Sequence, residues 1–154
     1  MPAIRFVRFA AAQRKCRDSL YGAGGLAGDL RKGRRDDGKK RQIIANLTPF
    51  AGASADAGTL IEVGWFLGKG KPIVGYSNTP ENFESRVRRQ LGARYTDLGI
   101  EGFHLLDNLM IVGAIQSGGY PVFIPTDSKA RGIDALDVFE SCVAAASRYF
   151  AKRP

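Results

Sequence analysis

Cysteine is almost missing from this chain of 154 residues: Cys16 and Cys142 are the only two. They are too few and too far apart to form a CxxC metal or redox motif, and the reading that follows is a reduced, cytoplasmic protein. No apolar run approaches the ~18 residues that span a bilayer, so no membrane partner is expected. The amino-terminal stretch has charges but lacks the apolar core and small-residue cleavage site of a secretory signal. There is one histidine, His104, which falls in a loop and reads as a bystander. What is present is globular: 44% hydrophobic, 25% charged and 10% aromatic residues, enough for one core and one domain.

The net charge of +8 suggests a nucleic-acid partner until it is located. Residues 1–42 hold 12 Lys/Arg against 4 Asp/Glu, and residues 43–154 hold 11 against 11. The excess is confined to the first quarter, and the rest of the chain is electrostatically neutral. Residues 13–41 show neither a strand nor a helix period and are rich in Arg, Lys and Gly. A disordered basic arm is one account of this segment. A nucleic-acid arm is weaker, because Tyr21 is the one aromatic among these residues and no series of aromatics is interleaved to stack on bases.

From Ile43 onward the sequence reads as α/β protein, with residues 43–154 as its body. Ile43 to Leu47 is an apolar, β-branched run that suits a buried parallel strand. A Gly/Ala/Ser loop leads into a helix over Thr59 to Leu67, stopped by Gly68. Lys71 to Tyr76 is a second strand. Thr79-Pro80-Glu81 reads as a helix start with Thr79 as N-cap, the helix running to about Leu91. Leu105 to Gln116 is a further helix and Tyr120 to Ile124 a strand. Asp134 caps a last helix with Leu136, Phe139, Val143 and Phe150 near one face. Alternating strands and helices predict a parallel sheet with helices packed on both faces.

The chemistry concentrates between Asn46 and Trp65. Glu62 is the only ionisable residue between Ala57 and Gly68, and Leu60, Ile61, Val63, Trp65, Phe66 and Leu67 surround it. This predicts a helix buried almost all round. A lone carboxylate there is costly unless it is paired or meets a ligand. It has two readings: a first-turn acid that complements the helix dipole, or an ionised nucleophile held for a sugar carbon. Asp56, six residues earlier, cannot share a helix face with Glu62. It is either the N-cap or a second carboxylate whose pKa is pushed away from that of the first.

The ordered set Asn46-Leu47-Thr48-Pro49-Phe50, Ser54-Ala55-Asp56-Ala57-Gly58-Thr59, Glu62-Val63-Gly64 and Gly70-Lys71-Pro72-Ile73-Val74-Gly75-Tyr76 resembles the nucleoside 2-deoxyribosyltransferase family. Ile100-Glu101-Gly102-Phe103 and Asp107-Asn108-Leu109-Met110 look like its second signature. The resemblance covers roughly residues 43–115. It implies a flavodoxin-like α/β fold and transfer of 2-deoxyribose between nucleobases, with deoxynucleosides and nucleobases as small-molecule partners. Glu62 would be the nucleophile and Asp56 the acid that protonates the leaving base. Gly58, Thr59, Asn108 and Met110 would bind substrate. Asn108 would reach into a neighbouring subunit's site, which implies a homo-oligomer built from dimers, commonly a hexamer. No metal and no cofactor are implied. Without the resemblance Asn108 reads as a helix cap.

The family's opening strand, of the type Tyr-Ile-Ala-Gly-Pro, and the helix before its Asn-Leu-Thr strand have no counterpart in residues 1–42. Suitable codons for Asp29 to Lys40, shifted by one base, read I-C-A-R-D-V-A-M-M-E-K-S, an amphipathic helix of the missing type. Translation out of frame is thus a second account of the segment beside the disordered basic arm, and the gene's nucleotide sequence in the neighbouring frame decides between them. Three other readings of the whole chain stand beside the transferase: a nucleoside or deoxynucleotide N-hydrolase, a basic binding module and an inactive remnant.

Overall fold

The computed structural model describes residues 41–92 and 99–151. The expectations for the basic segment 1–42, including the frame shift, fall almost entirely outside the described residues. Gln42 to Pro154 forms one compact unit. Its elements in order are β1 (Ile43–Asn46), α1 (Ala57–Gly68), β2 (Ile73–Tyr76), α2 (Phe83–Leu91), α3 (Leu109–Ser117), β3 (Val122–Phe123) and α4 (Asp137–Ala151).

The three described strands form a parallel sheet in the order β1-β2-β3. Ile43 is in register with Ile73, Asn46 with Tyr76, and Tyr76 with Phe123. Strand side chains alternate between faces, and that alternation produces two cores. Ile43, Ala45, Leu47 and Ile73 turn to one face, where they meet Ala55, then Val63 and Phe66 of α1 and Ile115 of α3. Val74 and Tyr76, flanked by Ile44 and Phe123, turn to the other face and meet Val138 and Cys142 of α4. The expected sheet with helices on both faces is what is found.

β2 is the central strand, buried along its whole length. Gly75 is needed there for space. A Cβ at this position would sit 3.1 Å from both Ile115 Cδ1 and Leu47 Cδ1, and 3.3 Å from Val122 Cγ2. At the chain's turns, Gly70 (φ 61°) and Gly92 (φ 63°) adopt the left-handed conformation after α1 and α2.

Several expected boundaries move, each for a local reason. α2 starts at Phe83 instead of near Pro80. The Thr79 hydroxyl accepts from the Glu81 amide in a turn, and Asn82 is the cap, accepting from the Ser85 amide. α3 starts at Leu109, because the Asn108 side chain accepts from the Met110 amide and caps it. Asp134 lies in a turn three residues ahead of α4. The buried stripe of α4 is Val138, Cys142 and Ala146, about one residue rotated from the expected Leu136-Phe139-Val143 face, and Leu136 is 39% exposed. The Phe150 side chain lies outside the described residues.

The largest correction concerns α1. It buries one stripe, Thr59, Val63 and Phe66, at the i, i+4, i+7 spacing of an ordinary amphipathic helix. Ile61 is 74% exposed and Leu67 43%. An apolar sequence all round the helix did not dictate burial all round it, because only one side has a sheet to pack on.

α2 differs from the other helices: its only buried side chain is Arg86. It packs on loops at the carboxyl end of the strands, with the Phe83 amide donating to the Leu105 carbonyl at 2.8 Å.

Candidate active site

In a parallel sheet the loops leaving the carboxyl ends of the strands converge, and ligands bind there. Here that edge is built from the segments after β1 and β2 and from the start of α3. β1 ends in Asn46, whose Oδ1 accepts from the Thr48 amide at 2.9 Å and turns the chain. The Thr48 hydroxyl then accepts from the Asn78 amide at 2.9 Å, fastening the exit of β1 to that of β2. Asn78 is fully buried, and its Nδ2 donates to the carbonyls of Gly132 and Ala135 ahead of α4.

The loop from Pro49 to Ala55 delivers the chain to Asp56, the N-cap of α1. Its Oδ2 accepts from the Thr59 amide at 3.1 Å. Of the two readings of Asp56, the cap is directly visible. Gly58 is part of this arrangement, since a Cβ there would lie 2.9 Å from Asp56 Oδ2. Thr59 is buried beneath the cap at 7% exposure.

Glu62 lies on α1 beside the buried Val63 and is half-buried itself. α1 has no acidic residue in its first turn. The dipole effect fades within that turn, so the bland account of Glu62 as a first-turn acid loses its ground. The structure therefore places both carboxylates on one loop-helix unit, Asp56 at the cap and Glu62 in the second turn.

Asn108 begins the other wall. Its Oδ1 accepts from the Met110 amide at 2.9 Å, while its Nδ2 donates to Glu101. Glu101 also accepts from the Leu109 amide at 2.8 Å, so two side chains cap α3. Met110 is 76% exposed and Phe103 57%. His104 is exposed, in a left-handed loop position with φ 54°, 3.7 Å from Glu84.

Two residues join these segments: Asp107, which the sequence offered as part of a motif without a role, and Arg86, which it did not single out. Asp107, 1% exposed, accepts from the Ser54 hydroxyl at 2.7 Å, the Ala55 amide at 2.9 Å and the Asn108 amide at 2.8 Å. Arg86, 2% exposed, donates from Nε to the Ala53 carbonyl at 2.7 Å, from Nη2 to the Leu106 carbonyl at 2.6 Å and from Nη1 to the Glu81 carbonyl. Burial pulls the Arg86 pKa down, and the negative charges of Asp107 and Glu81 oppose that pull. The available signal was position: Arg86 is three residues after Phe83 and adjacent to Val87, on the apolar stripe of α2. Arg88 and Arg89 beside it disguised it as one more surface charge.

Among the described residues, no group of three or more His, Cys, Asp and Glu side chains is placed to hold a metal ion. None of their helices is long and apolar enough to cross a membrane.

Fold and site together define a class: a parallel α/β protein in which one carboxylate caps, and a second is carried on, the helix that follows a strand's carboxyl end. Residues 41–110, which contain every one of these site residues, match the family model described as nucleoside 2-deoxyribosyltransferase. That match covers rather less than half of the chain and supports membership in the nucleoside 2-deoxyribosyltransferase family, whose members are pentosyltransferases acting on nucleosides and nucleobases. Among solved structures it is similar to a 2-desoxiribosyltransferase from Leishmania mexicana at 24% identity, with a TM-score of 0.48, over 77% of this chain and 68% of that one. No curated protein sequence matches it.

Proposed function

We propose that the chain is a nucleoside 2-deoxyribosyltransferase that moves 2-deoxyribose from one nucleobase to another through a covalent intermediate on Glu62. A Glu62 carboxylate oxygen attacks the anomeric carbon as the bond from that carbon to the base nitrogen breaks. Asp56 gives the departing base its proton. The resulting deoxyribosyl ester is then attacked at the same carbon by the nitrogen of a second base, whose N–H proton passes to the Asp56 carboxylate and restores the acid. Glu62 leaves as carboxylate, and two inversions give net retention. The 2-deoxy sugar lacks an electron-withdrawing hydroxyl beside the reacting carbon, so the cationic transition state is within reach of two carboxylates, and no metal or cofactor enters the scheme.

One observation carries this reading: Asp56 and Glu62 share a single loop-helix unit at the carboxyl edge of the sheet, inside the segment that matches the family. Gly58 and Thr59 shape the mouth beside Asp56, and Asn108 and Met110 contribute sugar contacts. Asn108 comes from a neighbouring copy of the chain, in a homo-oligomer assembled from dimers. The high exposure of Met110 suits such a contact. The reduced cytoplasm, where nucleosides are salvaged, is the matching location.

A base-exchange assay tests it. A deoxynucleoside mixed with a second free base should yield the second deoxynucleoside, and Glu62→Ala should lower that rate by roughly a thousandfold or more with an unchanged circular dichroism spectrum. Free deoxyribose without exchange would instead identify a hydrolase. Equal activity in the two proteins would remove Glu62 from the mechanism.

A further inference from the structure

The Asp107 carboxylate accepts three hydrogen bonds from two segments far apart in sequence: Ser54 Oγ and the Ala55 amide on one side, and the Asn108 amide on the other. Arg86 repeats the pattern with opposite charge, bonding the Ala53 carbonyl on the first segment and the Leu106 carbonyl on the second. Residues 53–55 and 106–108 are thus joined by one buried anion and one buried cation. The next residue after the first segment is Asp56, the cap of α1; the second segment ends in Asn108, the cap of α3.

We propose that Asp107, backed by Arg86, is a positioning residue that locks the Asp56 cap and the Asn108 cap into one rigid unit. Buried charges hold such a lock better than neutral groups do. Releasing either segment would leave an ionised group in a dry site without its partners, a far larger penalty than breaking an exposed hydrogen bond. The two caps therefore open together or not at all. In the proposed reaction, which supplies the catalytic meaning of this coupling, the unit holds the acid Asp56 of one site in fixed relation to the Asn108 amide that the same chain lends to its neighbour's site. Asp107 itself touches neither substrate nor reacting atoms.

Amide hydrogen exchange on the full chain tests the coupling without reference to activity. Asp107→Asn removes one charged acceptor and should speed exchange at both Ala55–Thr59 and Asn108–Val112 by about tenfold or more, leaving Leu47 and Gly75 in the sheet unchanged. Ser54→Ala, which removes a single bond and keeps the charge, should speed both segments by a smaller factor. It also decides the matter should Asp107→Asn not fold. Acceleration of one segment alone in either variant overturns the proposal. In the base-exchange assay, Asp107→Asn should lower kcat about tenfold or more with KM little changed. A KM effect alone would overturn the positioning role, and absence of exchange in the unmodified protein would refute the transferase reading while hydrogen exchange still judged the lock.

Discussion

Asp56 caps α1 and in the proposed reaction is also the acid, two roles that substitution can separate. Asn caps a helix about as well as Asp, and Ala does not. Asp56→Asn should therefore leave the urea midpoint unchanged, Asp56→Ala should cost about 1 kcal/mol, and both should lose base exchange, since neither offers a carboxyl proton. Gly58→Ala makes a complementary test. Its new methyl would meet Asp56 Oδ2 at 2.9 Å, so the carboxylate must swing off the Thr59 amide. The lost cap and the gained helix propensity are each about 1 kcal/mol and of opposite sign. Stability should barely move while exchange activity falls; a full-rate Gly58→Ala would show that the observed Asp56 rotamer is irrelevant to turnover. On the far face of the sheet, burial pushes the Cys142 thiol up to about 12 from 9.0. Burial, with the Cys142 charge a smaller contributor, likewise raises the Tyr76 phenol to about 12 from 10.0. Below pH 9 both groups are protonated whether the chain is folded or not. Above it the unfolded chain releases protons that the folded chain keeps, so stability should fall as pH rises from 9 toward 12. Urea midpoints either side of pH 9 check this, and Cys142→Ala should flatten the first part of the decline.

Among the elements, β2 and α2 are the least forgiving. Gly75→Ala in β2 presses a methyl against Ile115, Leu47 and Val122 at once, two of which are completely buried. Overpacking of this kind should cost about 1 kcal/mol or more, read from chemical denaturation. α2 contributes little apolar burial; what fixes it is the guanidinium of Arg86. Arg86→Met would strand three carbonyl groups and leave Asp107 without its cationic neighbour, a loss of about 3 kcal/mol in the urea-unfolding free energy. Retained stability would mean that the loops at the sheet's carboxyl edge are held by something other than this side chain. The same elements mark what was legible beforehand. Strands β1 and β2 were readable because continuous apolar, β-branched runs between turn residues have few other uses. Asp56 and Asn108 were readable as caps from residue type and position. The extent of α1's burial was not readable, because its sequence is apolar in every direction and only the position of the sheet selects the Thr59-Val63-Phe66 stripe.

At the scale of the whole molecule, the parallel sheet gathers its connecting loops at one edge, and the candidate site is the place where they meet. The sequence by itself determined the alternation of strands and helices, the two cap residues, and the isolation of Glu62 as the only charge on its helix. Each of these follows from local chemistry: side-chain periodicity, capping preference, and the composition of one short segment. What Asp107 and Arg86 do in the site became visible only in the folded chain. Their partners lie between 5 and 53 positions away for all but the Asn108 amide, and a buried charge is recognised by what surrounds it. No local pattern distinguishes Arg86 from its exposed neighbours until the chain has folded and removed it from water.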